Sequence, residues 1–153
     1  MANVKQDKVV RCFDKIFLKR MRPPLLHKKS RGDNRGPDRV LERNGKRYYL
    51  EAIGWTEKPR GKNQSDFWKA FSQAIARLNK KSQWGQPDIS VILLPFKFSN
   101  GWQDRVSQLG EEVWLRIGKA FPELEIWFVS NRKCYEFAWS RAFYAFQKKK
   151  EEV

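Results

Sequence analysis

"RGPDRVLERNGKRYYLEAIGW", residues Arg35 to Trp55, decides how this chain is read. Asn44-Gly45 supplies the two positive-φ positions that a two-residue hairpin turn demands, so Asp38 to Arg43 and Lys46 to Trp55 are predicted to pair as antiparallel strands. Along the second strand, side chains alternate. Tyr49, Glu51 and Ile53 share one face, while Tyr48, Leu50 and Ala52 share the other. Both faces are mainly apolar, which predicts a Glu51 that is at least half buried. A carboxylate in that position needs a cation or several N–H donors, or it takes up a proton. Asp38, thirteen residues earlier and just after Gly36-Pro37, opens the first strand and can lie close to Glu51. Two acids converging at a strand end offer the hard oxygen ligands of a divalent cation. Gly-Pro-Asp is also ordinary turn chemistry.

Working outward, "VKQDKVVRCFDKIFLKRM" has a helical rhythm of apolar residues that Pro23-Pro24 ends. Leu25-Leu26 begins a short strand, and "HKKSRGDNRGP" is an exposed basic loop. After the hairpin, "EKPRGKNQ" is a second basic loop, and Ser65-Asp66 caps a helix, "DFWKAFSQAIARLNK". Trp68, Phe71, Ile75 and Leu78 mark its buried face. "DISVILLP" has the continuous apolar character of a central strand. A further helix is expected from Trp102 to Phe121. "LEIWFVS" and "CYEFAW" then form two strands joined by "NRK", and "SRAFYAFQKKKEEV" forms a terminal helix running into a charged tail. This order predicts a single α/β domain over residues 1–153 with a mixed central sheet flanked by helices. Its basic N-terminal region is 1–47 and its charged tail is 147–153.

With 41% apolar residues, seven Trp and eleven Phe, the chain can build a real core, so global disorder is excluded. The formal net charge is +15, and its distribution is uneven. Lys and Arg outnumber Asp and Glu 15 to 5 over residues 1–50, but only 9 to 8 over 101–153. That field suits a polyanion through phosphate neutralisation and counterion release. DNA is the expected partner, with RNA as the alternative. Lys28, Lys29, Arg31, Arg35, Arg39, Arg60 and Lys62 are the candidate phosphate contacts, and a homodimer or a subunit of a nucleoprotein complex are both compatible with it. No apolar run approaches a membrane span and no signal peptide opens the sequence, so a cytoplasmic, or in a bacterium nucleoid-associated, protein is expected. Cys12 and Cys134 are too few for a disulfide framework and are expected as reduced, buried thiols. His27 is the lone histidine, which leaves histidine triads and zinc centres without support. No phosphate-cradling glycine motif occurs. Trp68, Trp114 and Trp127 fall on apolar faces and are assigned to the core. Trp55, Trp84 and Trp102, near loops, are the candidates for stacking on bases.

Gly-Pro-Asp at 36–38, the run "RYYLEAIG" ending in Glu51-Ala52-Ile53, and a following helix bearing Gln73 resemble the PD-(D/E)XK nuclease superfamily. The resemblance in element order covers roughly residues 4–137. It implies a restriction-endonuclease-like αβββαβ core and a Mg²⁺- or Mn²⁺-dependent endonuclease acting on DNA. It also implies Asp38 and Glu51 as metal-binding acids, the Ala52 carbonyl as a third ligand, and Gln73 near the substrate. Asp7 or Asp14 would match an extra acid that some members carry on the first helix.

This chain departs from the motif at Ile53, where the family has a lysine that orients the water or stabilises developing charge. Three resolutions follow. Lys58, Lys62 or Lys69 takes over the role; the site binds metal but cuts slowly or not at all; or the fold serves as a DNA- or RNA-binding subunit of a larger complex. Lys69 and Gln73, four residues apart on the helix, are expected to point away from the Trp68/Phe71/Ile75 face.

Overall fold

A computed structural model describes residues 3–20, 25–28, 37–57, 60–78, 85–96 and 108–146. The elements are α1 (Gln6–Arg20), β1 (Leu25–Lys28), β2 (Arg39–Arg43), β3 (Lys46–Ala52), α2 (Arg60–Leu78), β4 (Ile89–Pro95), α3 (Glu111–Ala120), β5 (Leu124–Val129), β6 (Cys134–Ala138) and α4 (Trp139–Ala142). The strands form one six-stranded sheet in sequence order. β1, β2 and β3 pair antiparallel, β3, β4 and β5 pair parallel, and β6 returns antiparallel on β5. The chain is therefore an α/β protein with a mixed sheet flanked by helices.

The hairpin forms where Asn44-Gly45 predicts it. Arg43 pairs with Lys46, and both turn residues have positive φ, 54° and 75°. Alternation on β3 then divides the core. Tyr48, Leu50 and Ala52 join Val91, Leu93 and Trp127 on the face covered by α1, through its Val9, Phe13 and Phe17. Ile53, Ile92, Leu94, Ile126 and Phe128 join the opposite cluster, with Phe67 of α2, Trp114 of α3 and Trp139 of α4. The parallel strands need crossover connections, and the helix α2 supplies the one between β3 and β4. On the second face Trp114 and Trp139 stack with centroids 3.8 Å apart. Each indole N–H donates to the other residue's carbonyl, at 2.7 and 2.9 Å, so two large buried rings keep no unmet donor.

Several boundaries differ from the sequence reading. α2 starts at Arg60, not at Ser65-Asp66, so Lys62 stands on a helix instead of a loop. Its fully buried stripe is Phe67, Ala70, Ala74 and Leu78, with Trp68, Phe71 and Ile75 only half-buried beside it. The two alanines shift the stripe because their small side chains let the helix backbone approach the sheet, a signal that a search for large apolar residues passes over. α3 begins at Glu111, and residues 102–107 of the longer expected helix lie outside the described residues. β6 ends at Ala138, and α4 is a four-residue helix followed by turns to residue 146 instead of a long terminal helix. The tail from 147 lies outside the described residues. Both cysteines are free and half-buried instead of fully buried, and burial pushes the Cys134 thiol up.

Phe13 is fully buried and stacks on Phe17 at 4.4 Å. Phe13→Ala should lower unfolding stability by about 3–5 kcal/mol, the cost of a large cavity under α1. Urea denaturation followed by tryptophan fluorescence measures it. A loss below about 1 kcal/mol would mean that α1 does not seal this face.

Candidate functional site

Pairing of Arg39 with Leu50 fixes the hairpin register and sets Asp38 opposite Glu51 at the end of the two strands. Both acids are buried, each 7% exposed. Their burial is met in two different ways. Asp38 takes neutral donors: its Oδ2 accepts the Ala52 N–H at 2.9 Å and the Gln6 side-chain amide at 3.0 Å. Glu51 takes a cation, the Arg77 guanidinium from the last turn of α2, which donates through Nη1 to Oε1. Burial pulls the Arg77 guanidinium below the ordinary arginine range, and the nearby Asp38 carboxylate favours its charge. It remains a cation at any working pH.

The two acids open into a cleft of about 810 Å³. One wall is β3 and its continuation, Glu51 to Thr56. A second is the N-terminal segment Asn3 to Gln6. The third is α2, through Lys62, Asp66, Lys69 and Gln73. These four stand at i, i+4, i+7 and i+11, a single helical stripe beside the buried one. Lys69 and Gln73 are exposed, away from the half-buried Trp68/Phe71/Ile75 side as expected, and that direction brings them to the cleft wall instead of leaving them on a merely solvated face. Lys62 also lines the cleft, paired with Asp66 at 3.1 Å. Lys69 has no ion-pair partner among the described residues. Ile53 reaches both the cleft and the apolar cluster, 8% exposed, and offers no charge.

The N-terminal wall is tied down by backbone bonding. Val4 and Trp55 exchange N–H···O bonds of 2.9 and 2.7 Å, and Asn3 accepts the Glu57 N–H at 3.0 Å. Gly54 makes this approach feasible. A Cβ there would run into the Val4 carbonyl oxygen and lie 2.9 Å from the Gln6 nitrogen. Trp55 is consequently half-buried in this bridge instead of exposed for stacking.

The donor set suits a hard divalent cation: two carboxylates, each held through one oxygen with no bond from the other to a described residue, and a backbone carbonyl at Ala52. No cluster of three or more His, Cys, Asp or Glu side chains occurs among the described residues, so water or substrate oxygens would complete the coordination. Other expected site residues fall elsewhere. Arg39 is buried, 6% exposed, and its guanidinium makes paired bonds of 2.9 and 2.8 Å to Asp14, so it is a structural ion pair instead of a phosphate contact. The same pair commits Asp14 to Arg39, and Asp7 is exposed and does not line the cleft. Lys29, Arg31, Arg35, Lys58, Trp84 and Trp102 lie outside the described residues, as do the side chains of Lys28 and Arg60. Gln6 and Arg77 are the site residues that the sequence reading missed. Arg77 stands four residues beyond Gln73 on the same stripe, which is a signal the sequence does contain.

No described helix is long and apolar enough to cross a membrane. Glu51→Gln should destabilise the protein by about 2–3 kcal/mol, because it leaves the half-buried Arg77 guanidinium with only a neutral acceptor. Chemical denaturation of parent and variant checks this, and an unchanged midpoint would remove Glu51 from the ion pair. Compared with protein-family models, with curated proteins and with solved structures, the chain finds no match.

Proposed function

We propose that this protein is a nucleic-acid-binding phosphodiesterase of the restriction-endonuclease-like kind, acting on DNA with Mg²⁺ or Mn²⁺ held by Asp38, Glu51 and the Ala52 carbonyl. The observation that carries the reading is the shared cleft, where two buried carboxylates face Lys62, Lys69 and Gln73 across about 810 Å³. The element order up to β4, αβββαβ, supports it, as does the basic charge of the first fifty residues. A divalent cation in this site supplies a Lewis acid for the phosphate and a lowered pKa for the attacking water.

The chain's own residues do the rest. Asp38 and Glu51 anchor the cation. Lys69, on the cleft wall and without an ion-pair partner among the described residues, neutralises charge developing on the phosphate and thereby serves where Ile53 cannot. Gln73, one turn further along, hydrogen-bonds the substrate and helps fix its orientation. Lys62 reinforces the positive wall while tethered to Asp66.

One observation favours a second reading, a silent DNA- or RNA-binding platform: Ile53 is packed into the core cluster and the cation nearest Glu51, Arg77, is already committed to it. A cleavage assay on plasmid and oligonucleotides with Mg²⁺ and Mn²⁺ separates the two. The nuclease reading expects metal-dependent cutting that falls about 10²–10⁴-fold in Lys69→Ala. A silent parent that gains cutting on Ile53→Lys supports the platform. Efficient cutting that survives alanine at both Lys62 and Lys69 would overturn the assignment of the wall lysines.

A further inference from the structure

Among the described residues, Asp38 and Glu51 are each gripped by one oxygen only, and the side-chain grips come from helices on opposite faces of the sheet, α1 and α2. Oδ2 of Asp38 is filled by the Ala52 N–H and the Gln6 amide, and Oε1 of Glu51 is filled by Arg77. Both acids nevertheless line the cleft, with Asp38 Oδ1 and Glu51 Oε2 carrying no bond to any described residue. Arg77 itself does not line the cleft. It holds Glu51 while staying out of the space a ligand would fill. Gln6 reaches Asp38 because the segment before it is bonded to Trp55 and seated over Gly54.

We infer that Gln6 and Arg77 are positioning residues which aim the free oxygens of Asp38 and Glu51 at a divalent cation. The inference rests on the metal-site reading above and adds two residues to it. Its physical basis is the way outer hydrogen bonds fix the direction of a ligating carboxylate. A buried carboxylate free to rotate between rotamers presents a poorer ligand than one pinned through its second oxygen. The two grips differ in kind for a reason. A second arginine at Asp38 would add a full positive charge to the site and repel the incoming cation, whereas the Gln6 amide and a backbone N–H supply directed bonds without it. Arg77 holds Oε1 of Glu51 inside an apolar wall, and its own charge is already balanced by that partner.

Isothermal titration with Mn²⁺ alone tests the inference on the full chain, comparing the parent with Gln6→Ala, Arg77→Met, Arg77→Lys and Asp38→Asn. Thermal melts confirm folding. Gln6→Ala and Arg77→Met should each weaken Mn²⁺ binding by roughly 10- to 100-fold. Arg77→Lys should recover most of the loss, because an ammonium can still hold Oε1. Gln6 is exposed apart from this contact, so Gln6→Ala keeps the test decisive even if Arg77→Met does not fold. Affinity unchanged in Gln6→Ala and in folded Arg77→Met would overturn the positioning role while leaving the metal site standing. Tighter binding by Arg77→Met would also overturn it, by showing that Arg77 competes with the cation. A folded parent that takes up no Mn²⁺ at millimolar concentration, like Asp38→Asn, would remove the metal site itself and this inference with it.

Discussion

The ion pair between Glu51 and Arg77 is the constraint around which this molecule is arranged. β3 is covered on both faces, so a carboxylate on it is expensive unless a cation meets it inside the protein. The cation comes from the last turn of α2, the crossover helix between β3 and β4. Burial of Phe67, Ala70, Ala74 and Leu78 sets how that helix is rotated about its axis, and the pairing of Arg77 with Glu51 agrees with it. The same rotation carries Lys62, Lys69 and Gln73 to the cleft wall. Packing, charge compensation and site assembly are therefore one geometric event.

Other charges of the first fifty residues are met by partners inside the fold. Arg43 lies 4.8 Å from the Tyr48 ring centre and 5.3 Å from that of Trp127, and it grips Glu136 of β6 through two bonds of 2.8 and 2.5 Å. Arg39 is taken up by Asp14 and Arg47 by Glu42. Part of the basic excess of the first fifty residues is thus structural, spent on tying α1 and β6 to the hairpin. The net charge still suits a polyanion, but the N-terminal arginines are not interchangeable members of one phosphate-binding surface.

How much could be read from the sequence follows from which signals are local. Asn44-Gly45 is a two-residue signal, and the hairpin forms where it stands. Strand alternation then gives the burial of Glu51 and its meeting with Asp38, because a hairpin's register is set by its turn. Helix rotation is different. It depends on how closely the helix backbone can approach the sheet, and Ala70 and Ala74 decide that while carrying little hydrophobic weight in the sequence. The large residues Trp68 and Phe71 drew the buried face toward themselves, and although Lys69 and Gln73 do point away from them, the pattern did not show that the side they occupy faces the two acids. Gln6 was hidden for another reason. Its contact with Asp38 spans 32 residues and relies on Gly54 admitting the N-terminal backbone, which no short-range pattern reports.

The divalent-cation site proposed at Asp38 and Glu51, walled by α2, can be looked for directly. Crystals soaked in Mn²⁺ and measured for its anomalous scattering test this most directly, since the signal locates the ion without reference to activity. An anomalous peak is expected between the two carboxylates, touching Asp38 Oδ1 and Glu51 Oε2, with Gln6 and Arg77 still on the other oxygens. A cleft without a peak, in crystals that bind Mn²⁺ elsewhere or not at all, would contradict it.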